Sequence, residues 1–399
     1  MFFKPVSLPN HRAGTIPVMA LACGVMVANI YLCQPLLAAV ATAFHVPAET
    51  AALVAVATQI GYMLGILFVV PLADIADPVK LMTRLMVLTA CALLVAAMAP
   101  NIAVLVAASL MIAATTVIAQ ILLPIASTLA GPEYRGRIVS ALSTGLILGI
   151  LLSRTFSGLT AETAGSWRAP YILQAIVVLL LRFVLPGFLP AKPAHSHSTG
   201  YLGLLKSLLP LLRYAELRLS MALSFFVFAA FSMVWATLAF HLASPVFNLG
   251  PAAAGLFGVW GAPGALMAPM AGRLSDKIGA SRVNIISIAA LVCSFSLLST
   301  FGAASFAALV IAINFLDFGT QCGQVANQAR IFGLGPEIRG RLNTLYMVTT
   351  FTGGATGALL GGIAWSHGGW HSVCLAGAAL VAVAGVILAA AFFASSRRV

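Results

Sequence analysis

The chain has 399 residues, of which 61% are hydrophobic and 8% charged. Soluble domains carry about 25% charged and 45–50% apolar residues, so this composition excludes a soluble enzyme, a disordered chain and a nucleic-acid binder. Twelve apolar spans of about 20 residues would use roughly 240 positions, which is close to the apolar content available. The net charge of +12, from 21 Lys and Arg against 9 Asp and Glu, is explained by basic loops flanking membrane spans. A nucleic-acid partner is not expected.

Apolar runs bounded by Pro, Gly and charge predict twelve helices. In chain order they are 16–39, 49–72, 81–99, 102–128, 138–160 and 169–189, then 219–243, 251–272, 283–301, 304–330, 342–365 and 371–394. The first follows Lys4 and Arg12 and superficially resembles a signal peptide. Its apolar run is too long for a 7–15-residue signal core, so it is read as a retained span. With the N-terminus inside, 18 of the 21 basic residues fall in inner segments; Arg168 lies in an outer loop, and Arg154 and Arg182 lie within spans. That asymmetry places both termini on the cytoplasmic side of the membrane.

The expected organisation is an N-terminal six-helix bundle over 1–189, a cytoplasmic linker over 190–218, and a C-terminal bundle over 219–399. The linker opens with a turn-forming stretch around His195 and His197. It continues with leucines interleaved with Lys206, Arg213 and Arg218, the pattern of an amphipathic helix on the inner membrane surface. Two histidines in such a linker make a poor metal site. The six cysteines sit within apolar runs without paired spacing and read as small buried hydrophobes. No metal and no cofactor are expected.

The two halves repeat. Gly131-Pro-Glu-Tyr-Arg-Gly-Arg137 recurs as Gly335-Pro-Glu-Ile-Arg-Gly-Arg341, with six identities in seven at an offset of 204. At that offset Gln120 pairs with Gln324, Gly149 with Gly353, and Gly158 with Gly362; Asp74 pairs with Asp276 at 202, and Trp167 with Trp370 at 203. Two parallel six-helix repeats are the plan of a rocking transporter with its binding site near the midplane. The repeated Gly-Pro-Glu-x-Arg-Gly-Arg loops follow no strand and lack the Lys-Ser/Thr of a P-loop, so they are not nucleotide sites.

With these residues in hand, the chain resembles the major facilitator superfamily over essentially its whole length. Gly272-Arg-Leu-Ser-Asp276-Lys277-Ile-Gly279 is similar to that family's loop signature G-x-L-A-D-R-x-G. The first-half copy keeps Leu72, Ala73 and Asp74 but has Val70, Ile75, Asp77, Pro78 and Val79 where the signature has Gly, Arg, Gly, Arg and Lys. The resemblance implies an all-α membrane protein, with twelve transmembrane helices in two pseudo-symmetric six-helix bundles. It also implies a cytoplasmic gate built from Asp74, Asp276, Lys277, Arg135 and Arg339.

A finer resemblance, to bacterial twelve-helix efflux-type permeases, rests on Asn29-Ile-Tyr31-Leu-Cys-Gln34-Pro35, Gln59-Ile-Gly61-Tyr62 and the helix-5 run from Gly145 to Gly158. Helix 5 lacks the Gly-Pro pair of the antiporter signature, and helix 4 lacks the expected Arg. Export and import therefore both remain open.

Ionisable groups inside the membrane are functional candidates by default. Asp317 lies near the middle of helix 10 on one face with Asn314 and Gln321. A carboxyl in that position suits proton coupling. Arg154, in the outer half of helix 5, can hold a substrate carboxylate, pair with a protein acid, or bond backbone carbonyls. Further cavity candidates are Asn29, Tyr31, Gln34, Gln59, Tyr62 and Gln120, with Trp235 and Gln324. By the family plan helices 1, 4, 7 and 10 line the cavity, helix 2 meets helix 11, and helix 5 meets helix 8. Glycine strips at Gly145/Gly149 and Gly353/Gly357/Gly361 are read as surfaces on which helices approach and slide.

The sequence thus points to a secondary transporter, not an enzyme, exporting a small organic solute in exchange for protons. It would be monomeric, with lipid and its solute as partners. Import or facilitated passage of a metabolite is the first alternative, and a non-transporting membrane sensor the second. The solute itself is not written in the sequence.

Overall fold

The computed structural model describes residues 14–129, 132–189 and 200–396, with backbone alone at 127–129, 132–135, 268–269 and 394–396. Lys4, Arg12, Gly131, Lys192, His195, His197, Arg397, Arg398 and the Arg135 side chain lie outside the described residues. Every regular element among the described residues is helical.

Ten spans are α1 Thr15–Phe44, α2 Ala48–Asp74, α3 Pro78–Ala97, α4 Ile102–Ala126, α5 Gly136–Thr163, α6 Ala169–Phe188, α7 Ala215–Ala243, α8 Pro251–Ile278, α9 Ala280–Thr300 and α10 Phe306–Phe332. An eleventh stretch, Pro336–Phe393, runs 58 residues but is broken by non-helical backbone at Gly368 and Gly369. Gly369 has φ 59°, a conformation that costs glycine little. The stretch is therefore two spans, α11 before the break and α12 after it, and the expected count of twelve is reached.

Several spans bend where proline removes a backbone donor. In α1 the turn Gln34–Leu36 is 3-10, with Pro35 at its start. In α2 a π turn over Gly65–Val69 leads into a 3-10 turn over Val70–Asp74 that contains Pro71. The α8 span is three pieces, Pro251–Trp260, Ala262–Ala265 and Ala268–Ile278. The linker differs from the amphipathic helix expected there. Among the described linker residues the helical pieces are Tyr201–Lys206 and Leu209–Arg213, separated because Pro210 cannot donate to a continuing helix.

The degraded signature loop of the first half has a structural substitute. Asp77 caps α3, accepting from Val79 N at 2.9 Å and Lys80 N at 3.2 Å, a favourable place for a carboxylate. The second-half loop turns instead on Gly279, with φ 85°.

Glycines divide the packing into two kinds of contact. Gly145 and Gly149 of α5 press on the backbone of Ala20 and Gly24 in α1, and Gly353, Gly357 and Gly361 of α11 press on Phe225, Ala229 and Met233 in α7. These strips, expected to be sliding surfaces, fasten helices within one half. Glycine contacts between halves include Gly158 of α5 on Pro251 and Gly255 of α8, and Gly362 of α11 on Glu49 and Ala52 of α2. The sequence repeat carries the division with it: Gly149 and Gly353 bind their own half, while Gly158 and Gly362 meet the other. The pairings of α5 with α8 and α2 with α11 are those expected.

Candidate functional site

A cavity of about 1220 Å³ lies between the halves. Its mouth is at the end of the bundle where α8 finishes at Ile278, and its border there includes Asp74, Gly272, Glu337 and Arg341. The linker residues Gly203–Leu205, Ser207 and Leu208 also line it, and Tyr201 Oη donates to the Phe68 carbonyl of α2 at 2.8 Å. At the opposite end, where α8 starts, the halves are in contact. Glu162 at the end of α5 accepts from Ala252 N of α8 at 2.8 Å, and Thr155 Oγ1 donates to the Gly255 carbonyl at 2.9 Å. The molecule is thus open on one side and closed on the other.

The deep end of the cavity is assembled from four helices. Ser153 and Ser157 on α5 donate to the carbonyls of Ala28 and Leu32 on α1, each at 2.6 Å. Those bonds fix the register of α5 on α1 and bring Arg154 to Gln34, whose Oε1 accepts from Arg154 Nε at 2.7 Å. The guanidinium lies over two rings, 3.7 Å from the Trp235 centroid and 4.8 Å from that of Tyr31. A cation held on aromatic faces away from water gains roughly 2 kcal/mol. Arg154 is 1% exposed and Trp235 2%.

Asp317 enters from α10. Ser287 and Ser294 of α9 donate to the Gly319 and Ala312 carbonyls at 2.6 and 2.7 Å, which sets the height of α10. Asn314 then joins α10 to the break in α8: its Nδ2 donates to the Trp260 carbonyl at 2.8 Å, and its Oδ1 accepts from Gly264 N at 3.0 Å. Asp317 abuts Gly261 at that break, where a Cβ would stand 2.5 Å from Oδ2. Asp317 is 4% exposed; Arg154 acts on its carboxyl as a nearby charge and Trp235 as a side-chain hydrogen-bond donor.

Arg154 Nη2 and Asp317 Oδ2 are both buried without a hydrogen-bond partner. Native interiors satisfy nearly all such atoms. The two together, on α5 of one half and α10 of the other, form a polar focus suited to receiving a ligand.

Of the residues expected in the cavity, Tyr31, Tyr62, Gln120, Arg154, Asp317, Gln321 and Gln324 border it. The others stand behind its wall. Asn29 donates to Thr116 of α4 at 2.8 Å, Gln34 and Trp235 hold Arg154, and Asn314 braces α8. Gln59 is buried on α2 against Gly354 of α11. Arg154 bonds a side-chain amide, not the backbone carbonyls that were one of its expected choices.

Of the gate residues, Asp74 is at the mouth, while Asp276, Lys277 and Arg339 are exposed on the same side. Arg339 Nε donates to the Phe332 carbonyl at 3.0 Å.

Sequence reasoning missed two contributors. Phe351 of α11 packs edge-on against Tyr62 and Phe228, 4.6 and 5.4 Å between centroids, and completes an aromatic wall. The repeat contained a signal, since Phe351 is 204 positions beyond Ile147 and both line the cavity. Glu162 gave no such signal.

Comparison with known proteins agrees with this architecture. The Major Facilitator Superfamily profile matches residues 19–263 and 219–399. The chain is 38% identical over 378 residues to the "Uncharacterized transporter YgaY" of Escherichia coli, covering 94% of this chain and 95% of that one. It is 33% identical over 368 residues to the "Probable transporter SCO4007" of Streptomyces coelicolor, covering 92% and 85%. Among solved structures it resembles the peptide transporter POT in complex with sulfate, with a TM-score of 0.75 at 15% identity and coverage of 97% and 96%. The chain belongs to the major facilitator superfamily of transporters.

Proposed function

We propose that the protein exports a small organic solute across the bacterial inner membrane in exchange for protons, with Asp317 as the group that carries the proton. The observation that supports this reading best is the position of Asp317. Its Oδ2 is buried, unpartnered and set at the blind end of a cavity that reaches one membrane face. Arg341 borders the mouth, Arg273, Lys277 and Arg339 are exposed at the same end, and the bias of basic residues toward the cytoplasm supports reading this as the inward-open state.

Alternating access then runs as follows. In the inward-open state Asp317 releases its proton to the cytoplasm and the solute binds beside it. The halves rock about the site: the contacts of Glu162 with α8 part, while the loops carrying Asp74, Asp276 and the Gly-Pro-Glu-x-Arg-Gly-Arg motif close. On the outer side Asp317 takes up a proton and the solute leaves. Arg154 stays charged throughout, so its electrostatic demand is constant and only Asp317 switches.

The test is accumulation of a mixed panel of drugs, sugars and organic acids in cells with and without the protein, repeated with a protonophore and with Asp317→Asn. Lower accumulation that both treatments abolish is the expected result. Raised accumulation would make the protein an importer, and uphill export by Asp317→Asn would remove Asp317 from the coupling path.

A further inference from the structure

The proposal here rests on the antiport reading and adds the chemical class of the solute. In antiport the solute binds the ionised form of Asp317, beside an arginine that is always charged. The occupied site therefore holds one fixed cation and one fixed anion, both away from water, where an unmatched charge is expensive. The two unpartnered atoms at the cavity differ in kind: Arg154 Nη2 is a cationic donor and Asp317 Oδ2 an anionic acceptor.

Arg154 and Asp317 act on each other electrostatically yet leave these two atoms unbonded, so the pair does not satisfy itself. A simple carboxylate would match the arginine and be repelled by Asp317; a simple amine would do the reverse. The rings of Tyr31, Tyr62, Phe228, Phe231 and Phe351 form an aromatic part of the wall, beside the amides of Gln120, Gln321 and Gln324.

We infer that the solute is a small zwitterion on an apolar body, its acid group facing Arg154 Nη2 and its protonated amine facing Asp317 Oδ2. Such a solute leaves the loaded site without net charge as it crosses the membrane interior. It also offers the aromatic wall a surface to cover.

The experiment uses the purified full-length protein and thermal unfolding as the binding readout. The probes are an α-amino acid and a γ-amino acid, each bearing a phenyl ring, with the methyl ester and the N-acetyl derivative of each. At least one parent zwitterion is expected to bind about tenfold or more tighter than either of its derivatives, the scale of one buried polar group left unmatched. In Arg154→Gln the ester is expected to equal its parent, and in Asp317→Asn the N-acetyl compound is expected to equal its parent. The ligand-free melting of each variant reports whether it folds, and the wild-type series stands without them. An ester or N-acetyl compound that binds as tightly as its parent overturns the zwitterion, as does failure of both parents to bind. Proton release on binding, read in lightly buffered solution, separates the two claims: a parent that binds without releasing protons overturns antiport and leaves the solute class in place.

Discussion

Gln34 Oε1 accepts from Arg154 Nε at 2.7 Å, and this bond decides which edge of the guanidinium is left for a ligand. With Nε held by α1 and the plane stacked on Trp235, Nη2 is the free donor. Replacing Gln34 by Leu strands Nε in a dry site, and stability is expected to fall by about 1–3 kcal/mol, with weaker solute binding. Gln34→Glu keeps the acceptor but neutralises the arginine, so stability is expected to hold while binding of acid-bearing solutes is lost. Melting and binding measured on both variants check this; identical behaviour of the two would reduce Gln34 to packing.

That relationship also marks how far the sequence could be read. Arg154 and Asp317 were legible because an ionisable group inside an apolar run is conspicuous wherever it lies. Their positions on helices 5 and 10 followed from counting spans. Trp235 stood out in a run of phenylalanines without showing that its ring lies under a guanidinium. Gln34 and Asn314 were visible as polar residues but not as braces, because a brace is defined by its partner 120 or 50 residues away. Gly149 and Gly158 looked alike in the sequence. Only the structure shows that one presses on its own half and the other on the opposite half.

The same two glycines predict different failures. A methyl at Gly149 meets the Gly24 backbone within the first half, where nothing separates during transport. Gly149→Ala is expected to destabilise the protein by about 1–3 kcal/mol, the usual effect of overpacking. A methyl at Gly158 meets the Pro251 carbonyl across the halves. Gly158→Ala is expected to melt near wild type and to favour the state in which that contact is open. Unfolding and cysteine accessibility of the outer cavity, measured side by side, separate the two effects.

At the break in α8, Gly261 and Gly264 make a second contrast. A Cβ at Gly264 would strike the Asn314 backbone carbonyl, which cannot swing away, whereas one at Gly261 meets the carboxylate of Asp317. Gly264→Ala is expected to lower stability. Gly261→Ala is expected to leave the fold intact, push Asp317 out of its place and reduce proton-driven transport severalfold or more. Melting temperature and uphill transport in the same preparations provide the check. Full transport by Gly261→Ala would show that the carboxyl tolerates displacement and is not positioned by α8.

The closed end of the molecule is held partly by charge. Glu162 Oε2 sits over the start of α8, accepting from Ala252 N at 2.8 Å, and a Cβ on Gly250 would stand 2.6 Å from the same oxygen. A carboxylate at a helix N-terminus is stabilised by the aligned peptide dipoles, by about 0.3–1 kcal/mol when exposed to solvent. Glu162 belongs to α5 of one half and Ala252 to α8 of the other, so this stabilisation exists only while the closed end stays closed. Glu162→Gln keeps an acceptor but removes the charge, and is expected to move the inward-to-outward ratio about two- to fivefold toward the outward-open state. High salt should produce the same shift in the wild type and little further change in the variant, because screening acts on the charge alone. Spin labels at Ala164 and Val246, both exposed near this contact, report the distance between the halves. An unchanged distance distribution in Glu162→Gln would mean that the packing of Gly158 and Gly255 holds the closed end without help from the carboxylate.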